Sequence, residues 1–403
     1  MLATALLGCT AAFGETSPYV IGISETYSHD SNFVRLPDGA TLPATVYSKT
    51  DWIATTALFG GIDQPFGRQR FYANVSIRDN HFRYNDVYNN SAFDLVGGLD
   101  WSTIERVSGN LNFSSNRTLA SFDRGTGNNA PNNTKNIEQT DQFAASVRVG
   151  VVTDLTFEGG VNHQTQRFSV VGNKLEQDVW NLGLRERFGG ELTLGAGVRF
   201  VDGRYPDIDD SFKGHDLDLS ANWVPSPIST VDVRLSFGKR SHSLASAQDF
   251  SGATGALSWK WQPTAKLTFN TQLNRSTGNE SSFATSTFFA TPISSKADNS
   301  RVTTTLALDA SYEASAKIRL DLGYSSASRN LTNSLSVNAA QPSSATDGDR
   351  LQRLRFGARW APTRTLEFNC NLSREARSAD NATLTYAYQS NTVGCAAQLA
   401  VQP

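Results

Sequence analysis

The residue types that most often carry chemistry are scattered along this sequence, not gathered. Its five histidines, His29, His81, His163, His215 and His242, fall singly in or beside expected loops. A zinc site needs several ligands at close, patterned spacing, so no metal site is expected. There is no Gly-x-Ser-x-Gly elbow to present a nucleophile and no glycine loop to cradle a phosphate. Asp207-Ile208-Asp209-Asp210 falls in an expected long loop and offers the oxygens that calcium takes, but a solvated acidic loop explains it more simply. No nucleophile, base and orienting group can be assembled, and neither enzyme activity nor a cofactor is expected.

Two cysteines are placed differently. Cys370 and Cys395 lie on what read as the last two strands, both in the outward register. Antiparallel pairing about a turn near residue 382 would set them opposite each other, at the close Cβ spacing a disulfide needs. An oxidising compartment would then join them. The bridge would staple the closing hairpin; the other reading is two inert buried thiols.

The elements that position these residues are strands. From Tyr19 onward, segments of about ten residues alternate apolar and polar, the period of a strand wet on one face. Phe71, Ala73, Val75 and Ile77 alternate with Tyr72, Asn74, Ser76 and Arg78. Val231, Val233, Leu235 and Phe237 alternate with Asp232, Arg234 and Ser236, and Ile318, Leu320 and Leu322 with Arg319 and Asp321. The connections alternate too. Short ones near 63–68, 102–105, 152–154, 189–190, 225–229, 262–265, 313–316 and 361–364 separate long polar ones near 29–48, 81–91, 117–136, 163–175, 202–213, 241–250, 276–299, 326–349 and 376–385. This pattern predicts one antiparallel transmembrane β-barrel of about 18 strands, with short periplasmic turns and long extracellular loops.

Composition agrees. Charged residues are 18% of the 403-residue chain, below the roughly 25% usual in soluble domains. Beyond the first few positions there is no apolar run of the roughly 20 residues that a membrane helix needs. The formal net charge is −2, without a basic block, so nucleic acid is not an expected partner. Residues 1–14 read as a signal-peptide remnant: Leu2 to Leu7 is apolar, and Ala12-Phe13-Gly14 resembles a small-x-small cleavage site. Leu6-Leu7-Gly8-Cys9 also has the form of a lipoprotein box, which would lipidate Cys9. Residues 15–403 form the expected barrel.

Trp101, Trp223, Trp261 and Trp360 each end a strand just before a short turn, and the last three read Trp-x-Pro. They are expected to form a periplasmic aromatic girdle. If the apolar set meets lipid, the alternate set lines a lumen. Its basic members include Arg78, Arg148, Arg185, Arg187, Arg199, Arg234, Lys260, Arg319, Arg353, Arg355 and Arg359. Asp94, Asp100, Glu158, Asp216, Asp218, Asp232, Asp309, Asp321 and Glu367 share that face. For a single residue, pairing across neighbouring strands is the simpler reading. Arg353, Arg355 and Arg359 on one strand, faced from the next by Glu367 and Glu375, are the expected basic patch for an anionic or hydroxyl-rich polymer.

Several stretches carry a family resemblance. They are Pro18-Tyr19-Val20, Ser24 to Asn32, Arg35-Leu36-Pro37-Asp38-Gly39, Ser48-Lys49-Thr50-Asp51-Trp52, and Gly60 to Arg68. Leu99-Asp100-Trp101, Asp216 to Leu219, Ala221-Asn222-Trp223 and the closing cysteine pair continue it. In these the chain resembles the EpsL-type outer-membrane β-barrel of exosortase-associated exopolysaccharide operons. The resemblance implies an outer-membrane channel that exports an exopolysaccharide, beside periplasmic polysaccharide-export proteins, with outer-membrane lipid and polysaccharide as partners. The alternatives are a general or sugar-selective diffusion porin and a non-transporting surface adhesin or matrix anchor.

Overall fold

The computed structural model describes residues 17–402, except 105, 123–132, 151–153, 171, 245–248, 278–299, 336–342 and 382–383. The expected export signal and Cys9 lie outside the described residues. The strands are β1 Tyr19–Asp30, β2 Asp51–Phe66, β3 Gln69–Phe82, β4 Asn90–Ser102, β5 Val107–Leu119, β6 Ile137–Val149, β7 Leu155–Phe168, β8 Leu175–Phe188 and β9 Leu192–Tyr205. They continue as β10 Asp210–Ser226, β11 Ser229–His242, β12 Phe250–Thr264, β13 Leu267–Ser276, β14 Ser300–Ser315, β15 Ile318–Leu335, β16 Ser343–Trp360, β17 Leu366–Ala379 and β18 Tyr388–Val401.

Each strand pairs antiparallel with its sequence neighbours, and β1 pairs with both β2 and β18. The sheet therefore closes into an 18-stranded barrel. Closure satisfies the backbone of every strand within the sheet, the condition for crossing hydrocarbon with strands. Period two then fixes the faces. Ile21 and Leu58 are each 60% exposed and Leu182 is 63% exposed, a surface that suits lipid and would aggregate in water. The chain is an outer-membrane β-barrel.

The short turns follow from their residues. Gly67, at φ +61°, opens the two-residue connection between Phe66 and Gln69, where a side chain would be strained. Register shifts lie between Trp223 and Ser226 and between Trp261 and Thr264, the positions that contain Pro225 and Pro263. Proline has no N–H to give the ladder, which favours an irregularity at these strand ends. Trp101, Trp223, Trp261 and Trp360 stand at the turn-proximal ends of β4, β10, β12 and β16, in the outward register. Trp261 stacks on Phe269 at 5.5 Å and Trp360 on Phe368 at 5.4 Å.

Three expected long loops are shorter than their sequence suggests. β7 runs to Phe168 and β8 resumes at Leu175; β9 and β10 are separated only by residues 206–209; β15 runs to Leu335. Alternation ends before pairing does. Above the lipid band the outward positions also turn polar, as in the Arg167–Asp141 and Lys213–Asp202 pairs. A strand polar on both faces reads as a loop.

Cys370 and Cys395 are direct partners across β17 and β18, joined by a disulfide that closes a 25-residue separation. Replacing both by serine should leave a barrel that still folds but loses about 2–4 kcal/mol to denaturant, the usual effect of freeing such a loop. Denaturant titration in detergent, with and without reductant, checks this; an unchanged midpoint would contradict it.

Candidate functional site

The inner wall carries two kinds of ion pair, buried and water-accessible. On β9 to β11, Arg199 lies 3.1 Å from Asp216 and 3.4 Å from Asp218, and both carboxylates are shared. Arg240 meets Asp216 at 3.1 Å, and Arg234 meets Asp218 at 2.9 Å. Ser236 Oγ donates to Asp218 at 2.5 Å. Gly238 makes this possible, because a Cβ there would collide with the Asp216 carboxylate. On β7 and β8, Arg185 meets Glu158 at 2.6 Å, and Glu158 is the cross-strand partner of Arg148. Side-chain exposure is only 2% at Arg199 and 1% at Asp218. These charges stiffen the wall and are not offered to a solute.

The pairs centred on Arg355 and Arg319 are wetter. Arg355 reaches Asp309 at 3.1 Å across Gly323 of the intervening strand, and 56% of its side chain is accessible. Gly323 again leaves the gap, since a Cβ would crowd both partners. Arg353 donates to Glu375 through Nε at 2.9 Å, Arg359 meets Glu367 at 2.6 Å, and Arg319 meets Asp321 at 3.3 Å. Arg78 pairs with Asp94 on β3 and β4. The three inward arginines of β16 thus each have a carboxylate partner. Asp309 was not counted against them in the sequence because it stands two strands away.

The outer mouth is occupied by the first long loop, residues 31–50. Asn32 Nδ2 donates to the carbonyls of Leu36 at 2.8 Å and Gln389 at 2.9 Å, while its Oδ1 accepts from the Leu36 amide at 2.8 Å. Arg35, at φ +59°, turns its guanidinium to Asp30 at 2.9 Å and Glu375 at 3.0 Å. Burial opposes that charge, but the two carboxylates outweigh it and hold the guanidinium above its ordinary value. Phe33, Val34, Leu36 and Val46 bury themselves against inward Phe82, Tyr88 and Phe122. Asn85 accepts the amides of Tyr47 and Ser48 and donates to Asp51. The loop therefore lies inside the mouth, along the arc from β17 to the loop after β5. Sequence reasoning missed this fold-back. Its signal was Phe33-Val34-x-Leu36, apolar residues inside an otherwise polar loop.

All five histidines stand on strands, not in loops. His29 touches Thr50 at 2.7 Å, and buried His242 touches Asp210 at 2.7 Å. Asp210 also accepts from Ser243 and the Leu244 amide, and Asp207 accepts the Lys174 amide, so these acids cap turns. Among the described residues no group of His, Cys, Asp or Glu is placed to hold a metal. Thr165, His163 and Asp178 form a hydrogen-bonded run on the outer face, at 3.3 and 2.7 Å. Both flanks of that strand are paired, which consumes the backbone N–H groups an oxyanion would need.

No family model matches the sequence, and no curated protein does. Among solved structures the chain is similar to the outer membrane protein opdK from Pseudomonas aeruginosa, with 11% identity, a TM-score of 0.48, and coverage of 95% of this chain and 98% of that one. It is similar to a BenF-like porin from Pseudomonas fluorescens Pf-5, with 12% identity, a TM-score of 0.47 and coverage of 96% and 99%. A third is OccK2 (OpdF) from Pseudomonas aeruginosa, with 11% identity, a TM-score of 0.49 and coverage of 96% and 98%. These likenesses carry nothing about what passes through this chain.

The two kinds of ion pair should respond differently to substitution. Arg199→Ala leaves two buried carboxylates short of their shared cation and should cost about 3–5 kcal/mol of stability. Arg355→Ala, in a water-accessible pair, should cost less than about 1 kcal/mol. Equal losses in denaturant titrations would refute the division.

Proposed function

We propose that the barrel is an outer-membrane channel for export of an exopolysaccharide. The observation that carries this is the wall of β14 to β16, where the Arg355–Asp309 and Arg319–Asp321 pairs stand half-exposed and the half-exposed Arg353 guanidinium reaches back to a buried Glu375. Accessible pairs of this kind present strong donors and acceptors with little net charge, which suits a hydroxyl-rich chain better than a free ion. The sequence resemblance supports the same reading. Its partners would be outer-membrane lipid, the polymer, and periplasmic polysaccharide-export proteins. A barrel of about 16–18 strands is wide enough for an aqueous path.

A second reading, a diffusion porin, is favoured by one observation: the first long loop folds inside the mouth, where it would narrow the path. The two readings part in a planar bilayer. An export channel shows steady conductance that falls when the host's exopolysaccharide is added, and Arg353→Gln with Arg355→Gln weakens that block several-fold. Conductance indifferent to the polymer would favour the porin. A folded protein without conductance would count against both.

A further inference from the structure

Two aromatic rings on the inner wall take no part in the ion-pair ladders or in the packing at the mouth. Leu58 is 60% exposed and Phe71 is 41% exposed on the lipid side, so their neighbours Phe59 and Tyr72 face the lumen. Each ring is opposed by glycine. Phe59 is the cross-strand partner of Gly22, and Tyr72 of Gly98. A Cβ at either glycine would collide with the far end of the facing ring, so each ring lies across the neighbouring strand. The tip of each ring occupies the space that a side chain on the glycine would take. Both rings are half-buried, whereas inward Phe82, Phe212 and Tyr388 near the outer mouth are buried.

Their surroundings are polar. Asn112 Nδ2 donates to the Tyr72 hydroxyl at 3.0 Å, and the Arg70 guanidinium sits 5.6 Å from the Tyr72 ring centre. Arg70 is held between Asp63 at 2.7 Å and Asp100 at 3.7 Å, all three half-exposed. Asn74 lies beside Gly61, between the two rings. Tyr72 pairs with Asp63, four residues along β2 from Phe59, so the two positions are about 13 Å apart along the strand direction, and the rings lean apart over β1 and β4. The Tyr72 end lies toward the periplasmic turns.

We propose that Phe59 and Tyr72 form a stacking track that receives the sugar rings of a neutral glycan entering from the periplasmic side. The inference deepens, and rests on, the export reading. A pyranose has an apolar C–H face that suits the electron-rich face of an aromatic ring. Its edge hydroxyls would find the amides of Asn74 and Asn112 and the Arg70–Asp63 pair. One cation between two carboxylates disfavours an acidic chain at this entrance. The structural alternative is that the rings only cover glycine in the sheet, as Trp101 covers Gly109 on the outside.

The test uses the whole purified barrel in detergent, with maltoheptaose as the neutral probe and an oligogalacturonate as the acidic one. Saturation-transfer NMR reports binding, and bilayer conductance is recorded on the same preparations. Phe59→Leu and Tyr72→Leu should each weaken maltoheptaose binding about tenfold, while Tyr72→Phe keeps it. Heat-modifiable gel migration and sugar-free conductance verify that each variant is folded. No binding by the unaltered barrel, unchanged affinity in the double leucine variant, or tighter binding of the acidic probe would overturn the proposal. Conductance with no sugar binding sinks the track alone. Sugar binding without conductance keeps the track and sinks the channel.

Discussion

A strand in hydrocarbon has no water to satisfy its N–H and C=O groups, so a sheet can cross a membrane only by closing on itself. Here closure is made by β1, whose residues pair on one side with β2 and on the other with β18. Everything else depends on that seam. Once it forms, period two commits Ile21, Leu58 and Leu372 to lipid and Asp30, Arg78 and Glu375 to the interior. The Cys370–Cys395 bridge lies on the hairpin that supplies one side of the seam. The first long loop, anchored by Asn32 to Gln389 and by Arg35 to Glu375, crosses it on the inside.

Charges committed to an interior must then find partners, and the wall meets this demand in two ways. On β9 to β11 the arginines and aspartates share one another and are withdrawn from water. On β14 to β16 the Arg355–Asp309 and Arg319–Asp321 pairs remain accessible, while Asp349 and Arg377 nearer the outer mouth are buried. Glycine decides who meets whom. Gly238 admits Asp216 between two arginines, Gly323 lets Arg355 and Asp309 meet across a strand, and Gly22 and Gly98 seat aromatic rings. A missing side chain on an inward position sets the reach of its neighbours.

The barrel was legible because lipid-facing segments such as Phe71 to Ile77 and Val231 to Phe237 keep strict alternation. Strand length was less legible. Near Asp202 and Lys213 the outward positions are charged, and local sequence does not separate a polar strand from a loop. The lumen set was readable by register, since Arg199, Arg234 and Arg355 fall where alternation places them. Their partners were not, because Asp309 and Arg355 are joined through a glycine on a strand between them. The fold-back of the first loop was hidden for a similar reason. Phe33 and Leu36 acquire a core only when Phe82, Tyr88 and Phe122 arrive from other segments.

The claim that most needs testing is that polymer passes through this lumen. In the native host, the chain can be deleted and labelled exopolysaccharide followed in periplasm and at the cell surface. The account predicts that polymer accumulates in the periplasm and disappears from the surface, and that the intact chain restores export. Undiminished surface polymer in the deletion strain would contradict it.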